Sequence, residues 1–226
     1  MVKQSGNVLF LILIAVVLFA ALSYAVTQSS RGGGNVNSEN VAIAAAQIVQ
    51  YIASVENGLT RVRVVNGCDI ANVSFEHANW SHTNYEHSPV TDDKCKIFHP
   101  SGGGVTYQNV PDGALHSGQS AVSTYGEYFY SGGIWIYQAD DTDVDLTMHV
   151  PHITEEVCME IQDKMGVTGA FQAYGSNWLG TLSAANMVYD GGFANQHSWN
   201  SSRQYSCLQL AGSDQLYDFY YVLVDQ

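Results

Sequence analysis

Positive charge is scarce in this chain: 8 Lys and Arg stand against 21 Asp and Glu, for a formal charge of −13. A surface of that sign repels phosphate backbones, which argues against nucleic acid as a partner. Charged residues of both signs make up only 13% of the 226 positions, about half the share usual in a soluble protein. Catalytic signatures are missing as well. None of the four cysteines falls in a C-x-x-C pair, so zinc-ribbon and thioredoxin-type readings have no support. No G-x-S-x-G occurs, and His116 beside Ser117 cannot form a triad by adjacency. The glycine run in Phe98–Val105 lacks the Gly-Lys-Ser/Thr ending that a nucleotide loop requires. Glu155-Glu156 is explained by the dipole of a helix's first turn. The chain therefore reads as a non-enzyme with no cofactor.

The most prominent feature present is an apolar run from Val8 to Val26, in which only Ser23 and Tyr24 are not plainly apolar. At about 1.5 Å per residue, such a helix spans the hydrocarbon core of a bilayer. Lys3 precedes it and Arg31 follows it, so positive charge alone orients it weakly. Three readings compete. A secretory signal would be cut after Ala25, at Ser23-Tyr24-Ala25. A plain anchor would not be cut. A third reading cuts after Gly6 and keeps the whole apolar helix.

The residues MVKQSG followed by NVLFLILIAVVLFAALSYAV resemble the prepilin-type N terminus of type IV pilins and type II secretion pseudopilins. The resemblance covers roughly the first tenth of the chain. It implies leader processing by a prepilin peptidase, with Lys3 and Gly6 in the leader and Asn7 as first mature residue. It also implies membrane insertion, then packing against other pilin-like subunits through the N-terminal helix. The head would face the periplasm and later the cell surface. The Glu that the family carries at the fifth mature position is Leu11 here, which points to a minor subunit.

The layout that follows is α+β: a transmembrane or filament-core helix over residues 7–30 after a leader of 1–6, then a Gly-rich hinge at 31–37. A globular head, 38–226, would carry an amphipathic helix on a mainly antiparallel β-sheet. Asn37 or Ser38 offers the helix cap. Val41, Ala45, Ile48, Ile52, Val55 and Leu59 form one apolar stripe, with Gly58 as the stop. Arg61–Val65 alternates like a strand, residues 128–137 read as a hairpin turning at Ser131-Gly132-Gly133, and Asp143–Val150 reads as a half-buried strand. Thr154 should cap a helix that ends at Gly166, and Tyr217–Val224 should form a closing strand.

Four cysteines behind an export segment suggest two disulfides and an oxidising compartment. Pairs near in sequence meet most easily, so Cys68–Cys95 and Cys158–Cys207 are expected, the latter joining a helix to a late loop.

Candidate ligand sites are weak by comparison. His77, His82 and His87, with Glu76 and Glu86, recur every five residues, a spacing that no single helix or strand face gathers. Asp140, Asp141 and Asp143 are calcium candidates, but Leu146 and His152 stand where an EF-hand needs Gly and Glu. An acidic strand edge is the simpler reading, and no metal is expected. Trp80, Trp135, Trp178 and Trp199 could stack on sugars or simply fill a core. Asn72, Asn79 and Asn200 begin Asn-x-Ser/Thr acceptors. The loops at 166–205 are where a second, alternative function would lie: a surface domain binding glycan or protein.

Overall fold

Two long helices lead the chain. A computed structural model describes residues 6–29, 35–76, 90–121, 125–136, 145–167, 172–174, 197–199, 204–210 and 216–224. Helix α1 covers Gly6–Ser29 and α2 covers Asn35–Thr60, with α2 beginning two residues before Asn37 and three before Ser38, the two expected caps. The chain divides into two compact units, Met1–Asn40 and Val41–Gln226. In α1, side chains are described for residues 10–24. Among the described residues, no helix is long and apolar enough to cross a membrane.

The second unit is α+β, with helices packed against an antiparallel sheet. Its strands are β1 (Phe129–Ile136), β2 (Asp145–Ile153), β3 (Gln172–Tyr174), β4 (His197–Trp199), β5 (Tyr205–Leu210) and β6 (Tyr217–Val224). They lie in the order β3-β5-β6-β2-β1-β4. The middle four are antiparallel, and the short outer strands run parallel to their neighbours. The closing strand has the bounds expected of it. The expected hairpin does not form. Residues 129–136 make one strand whose register shifts between Ser131 and Ile134, so the glycine pair marks a bulge rather than a turn.

Helix α2 owes its place to the apolar stripe. Ala45, Ile48, Ile52, Val55 and Leu59 are buried in the core, and Val41 packs against it. The stripe then continues with Val62, fully buried, three residues beyond Leu59. That continuation overturns the strand expected at Arg61–Val65, which is instead a π-helical turn extending α2. Gly58 is accordingly no stop. It sits inside the helix, where an added Cβ would come 2.3 Å from a Val105 methyl, so its role is close approach. The glycine run facing it is equally tight. A Cβ at Gly102 would lie 2.0 Å from the Lys96 carbonyl oxygen, and one at Gly103 would lie 2.5 Å from that of Ile97. The run is therefore a packed turn and not the flexible loop its composition suggests.

Helix α3, Glu155–Lys164, follows its sequence signals. The Thr154 hydroxyl accepts from the Val157 N–H at 3.4 Å, and Gly166 takes a positive φ just past the end. Both expected disulfides form. Cys207, however, lies in β5 rather than in a loop, so its bond to Cys158 joins α3 directly to the sheet. On the same sheet face, Tyr221 donates to Glu56 of α2 at 2.6 Å, and the Tyr51 and Tyr128 rings lie 4.6 Å apart.

Candidate functional site

Strand β2 reads as half-buried in sequence, yet every residue from Asp145 to Ile153 is buried. Side chains alternate faces along a strand. Met148 and Val150 share the face of Cys207 and Phe219, which carries α3. Thr147 and His149 point the other way, toward the side of Tyr220 and Asp218. There they form a chain of hydrogen bonds. Thr147 Oγ1 lies 2.9 Å from His149 Nε2, and His149 Nδ1 lies 2.9 Å from Asp218 Oδ2. All three residues are fully buried. With Asp218 ionised, Nδ1 carries a proton toward it, which in a neutral ring leaves Nε2 to accept from the threonine hydroxyl. This is the order nucleophile, base, orienting acid. Through these bonds the arrangement ties the two central strands, β2 and β6, to each other.

His152 sits at the end of β2 with φ +60°, the only non-glycine residue at positive φ among the described residues. Its carbonyl accepts from the His116 N–H at 2.8 Å, and Leu115 bridges Ile153 in antiparallel fashion. Segment 114–116 is thus bound to the strand end, which holds the left-handed turn in place. Burial pushes the His152 imidazole below its ordinary value, against an opposing pull from Asp218. The unfolded chain therefore binds the proton more readily, and stability must rise with pH through that window. Acidifying from pH 7 through about 6.5 and below should destabilise the head. His152→Asn keeps a residue that tolerates left-handed backbone but cannot titrate. Thermal midpoints between pH 7 and 5 should fall less steeply in that variant, and equal slopes would show that His152 takes up no proton.

A tyrosine network fills the core beneath α2. Phe75 stacks on Tyr130 at 4.2 Å, Phe98 packs edge-on against Tyr107 at 5.5 Å, and Tyr107 donates to Glu127. Burial raises the phenols of Tyr51, Tyr107 and Tyr128 above their ordinary value, so they remain protonated donors.

Helix α1 presents a different surface. Every residue from Phe10 to Tyr24 is exposed, from 39% at Ile14 to 72% at Phe19 among the large apolar ones. A contiguous apolar surface of this extent is rare on monomeric soluble proteins.

Of the sequence-derived candidates, Gly6 and Asn7 lie in the first turn of α1, described in backbone only. Lys3, Asp140, Asp141 and Asp143 lie outside the described residues, as do His77, His82, His87, Glu86, Trp80, Trp178, Asn79 and Asn200. Glu76 pairs with Lys96 at 3.6 Å, a structural role. Trp135 and Trp199 belong to the adjacent strands β1 and β4. Most of 166–205 falls outside the described residues. Among the described residues, no group of three His, Cys, Asp or Glu side chains could hold a metal ion. The Thr147–His149–Asp218 chain escaped sequence reasoning. Its one signal was polar Thr147 and His149 two apart in a strand, which ordinarily marks a solvent face.

No known protein family, curated protein or solved structure matches the chain.

Proposed function

We propose that the chain is a pilin-like structural subunit, of the minor kind, in a type IV pilus or related secretion filament. The leader would be removed after Gly6 by a prepilin peptidase. The helix beginning at Asn7 would sit in the membrane until assembly and then pack against the corresponding helices of neighbouring subunits.

The observation that carries this reading is the exposed apolar surface of α1. Its 24 residues would extend about 36 Å at the usual helical rise, and the apolar run Val8–Val26 fills most of it. Assembly would bury that surface at roughly 25 cal/mol per Å2 relative to water. A head of helices on an antiparallel sheet, stapled by two disulfides, suits an extracytoplasmic setting. The acidic head would present the outer surface.

The test is the mass of the mature N terminus from membranes or shed filaments. A chain beginning at Asn7, with or without an N-methyl group, is the expected result. One beginning at Val26 would mean a secretory signal and overturn the proposal, and an intact Met1 would leave a plain anchor.

A further inference from the structure

From Val41 to Val55, helix α2 carries no charged side chain, although the chain as a whole carries 29 charged residues and a net −13. Its exposed positions there include Gln47, Gln50 and Ser54, which fall on one stripe at helical spacing. Across from them runs the extended segment 105–111, bringing Gln108 and Asn109. A cavity of about 400 Å3 lies between the two, within the size range of small-molecule sites. Its floor is the buried ring pair Tyr51 and Tyr128, and Pro111 forms one wall. The Gln108 backbone N–H donates to the Tyr51 hydroxyl at 3.4 Å, which ties the segment to the helix and fixes the groove's width.

The lining decides the ligand chemistry. No carboxylate and no cation lines the groove. An anion would find no counter-charge in a chain already strongly negative, and a cation would find no ligand carboxylate. An apolar group would desolvate amides without replacing their hydrogen bonds. What the groove offers is four primary amides, each with two N–H donors and a carbonyl acceptor. None of these four side chains is committed to another described residue, whereas the Ser54 hydroxyl is spent on the Gln50 carbonyl at 3.0 Å. Closely spaced neutral groups that donate and accept at once match the hydroxyls of a sugar.

We propose that the groove between α2 and segment 105–111 binds a neutral saccharide unit through the side-chain amides of Gln47, Gln50, Gln108 and Asn109. The inference stands apart from filament assembly: it concerns the head alone, and the mass of the N terminus leaves it untouched.

The experiment uses the full chain in phosphatidylcholine nanodiscs, because alkyl glycoside detergents would themselves present the ligand class. Ligand-observed saturation-transfer NMR is run with millimolar maltose, cellobiose and diacetylchitobiose, with glucuronate as the charged control and triglycine as the peptide control. Saturation of at least one neutral disaccharide is expected, with none of glucuronate or triglycine. Gln50→Ala and Gln108→Ala should each weaken that binding about tenfold at unchanged thermal midpoint, since both side chains are exposed. Silence from all three disaccharides would overturn the proposal. So would binding that both variants leave intact, or saturation of triglycine or glucuronate in preference to the sugars.

Discussion

Asp218→Ala should lower the stability of the head by about 1–3 kcal/mol, the usual cost of leaving a buried hydrogen-bonding group without its partner. For a domain of this size that corresponds to a fall of about 5 °C in thermal midpoint. The reason lies in what is left behind. His149 keeps its ring in a site closed to water, with Nδ1 deprived of the carboxylate that held it at 2.9 Å. A vacancy the size of the lost carboxylate adds to the cost. A double-mutant cycle separates the terms. If the pair is coupled as its geometry requires, His149→Ala added to Asp218→Ala should cost far less than the two single losses summed. Replacing Thr147, His149 and Asp218 together by Val, Leu and Leu should be closer to neutral, because no polar atom of the chain is then stranded. A single Asp218→Ala loss below about 1 kcal/mol would put the pair in the range of an exposed salt bridge and refute the tie between β2 and β6.

That tie marks the limit of what the sequence discloses. Periodicity reports which positions alternate, so the β6 strand, the α3 helix with its Thr154 cap, and the α2 stripe were all legible. It does not report whether the second face of a strand is also covered. Thr147 and His149 therefore looked like a solvent face, and their acidic partner lies 69 residues further on, beyond any local pattern. The π-helical turn at Arg61–Val65 was misread for a related reason. Five alternating residues look like a strand until Val62 is counted as the next step of the α2 stripe after Leu59. Glycine composition misled twice more, at Gly58 and at Gly102–Gly103. Both are places where one backbone approaches another element closely, and sequence alone does not distinguish such contact from flexibility. The groove lined by Gln47, Gln50, Gln108 and Asn109 was equally hidden, because exposed amides carry no motif. Only the missing charge along Val41–Val55 pointed to it.

The two disulfides should differ sharply when tested. Chain-entropy arguments give each a similar worth, since the sequence separations are 27 and 49: about 4 kcal/mol for the longer loop and only about half a kcal/mol less for the shorter. Their settings differ more. Cys158 and Cys207 are fully buried and join α3 to β5 within the sheet's helix-bearing face, while Cys68 is only partly buried and lies beside the Cys95 loop. A native-state reductant should therefore open Cys68–Cys95 first, without global unfolding. Cys158–Cys207 should be reduced only through states in which α3 has left the sheet, so its rate should follow the stability of the whole head. Cys158→Ala combined with Cys207→Ala should cost about 4 kcal/mol and lower hydrogen-exchange protection across β5 and β6 together. The corresponding pair of changes at Cys68 and Cys95 should lower protection mainly in 66–76 and 90–104. Equal reduction rates for the two bonds under native conditions would mean that α3 detaches readily. The sheet would then depend on the α2 stripe and the Thr147–His149–Asp218 tie, and Asp218→Ala would become the more damaging change.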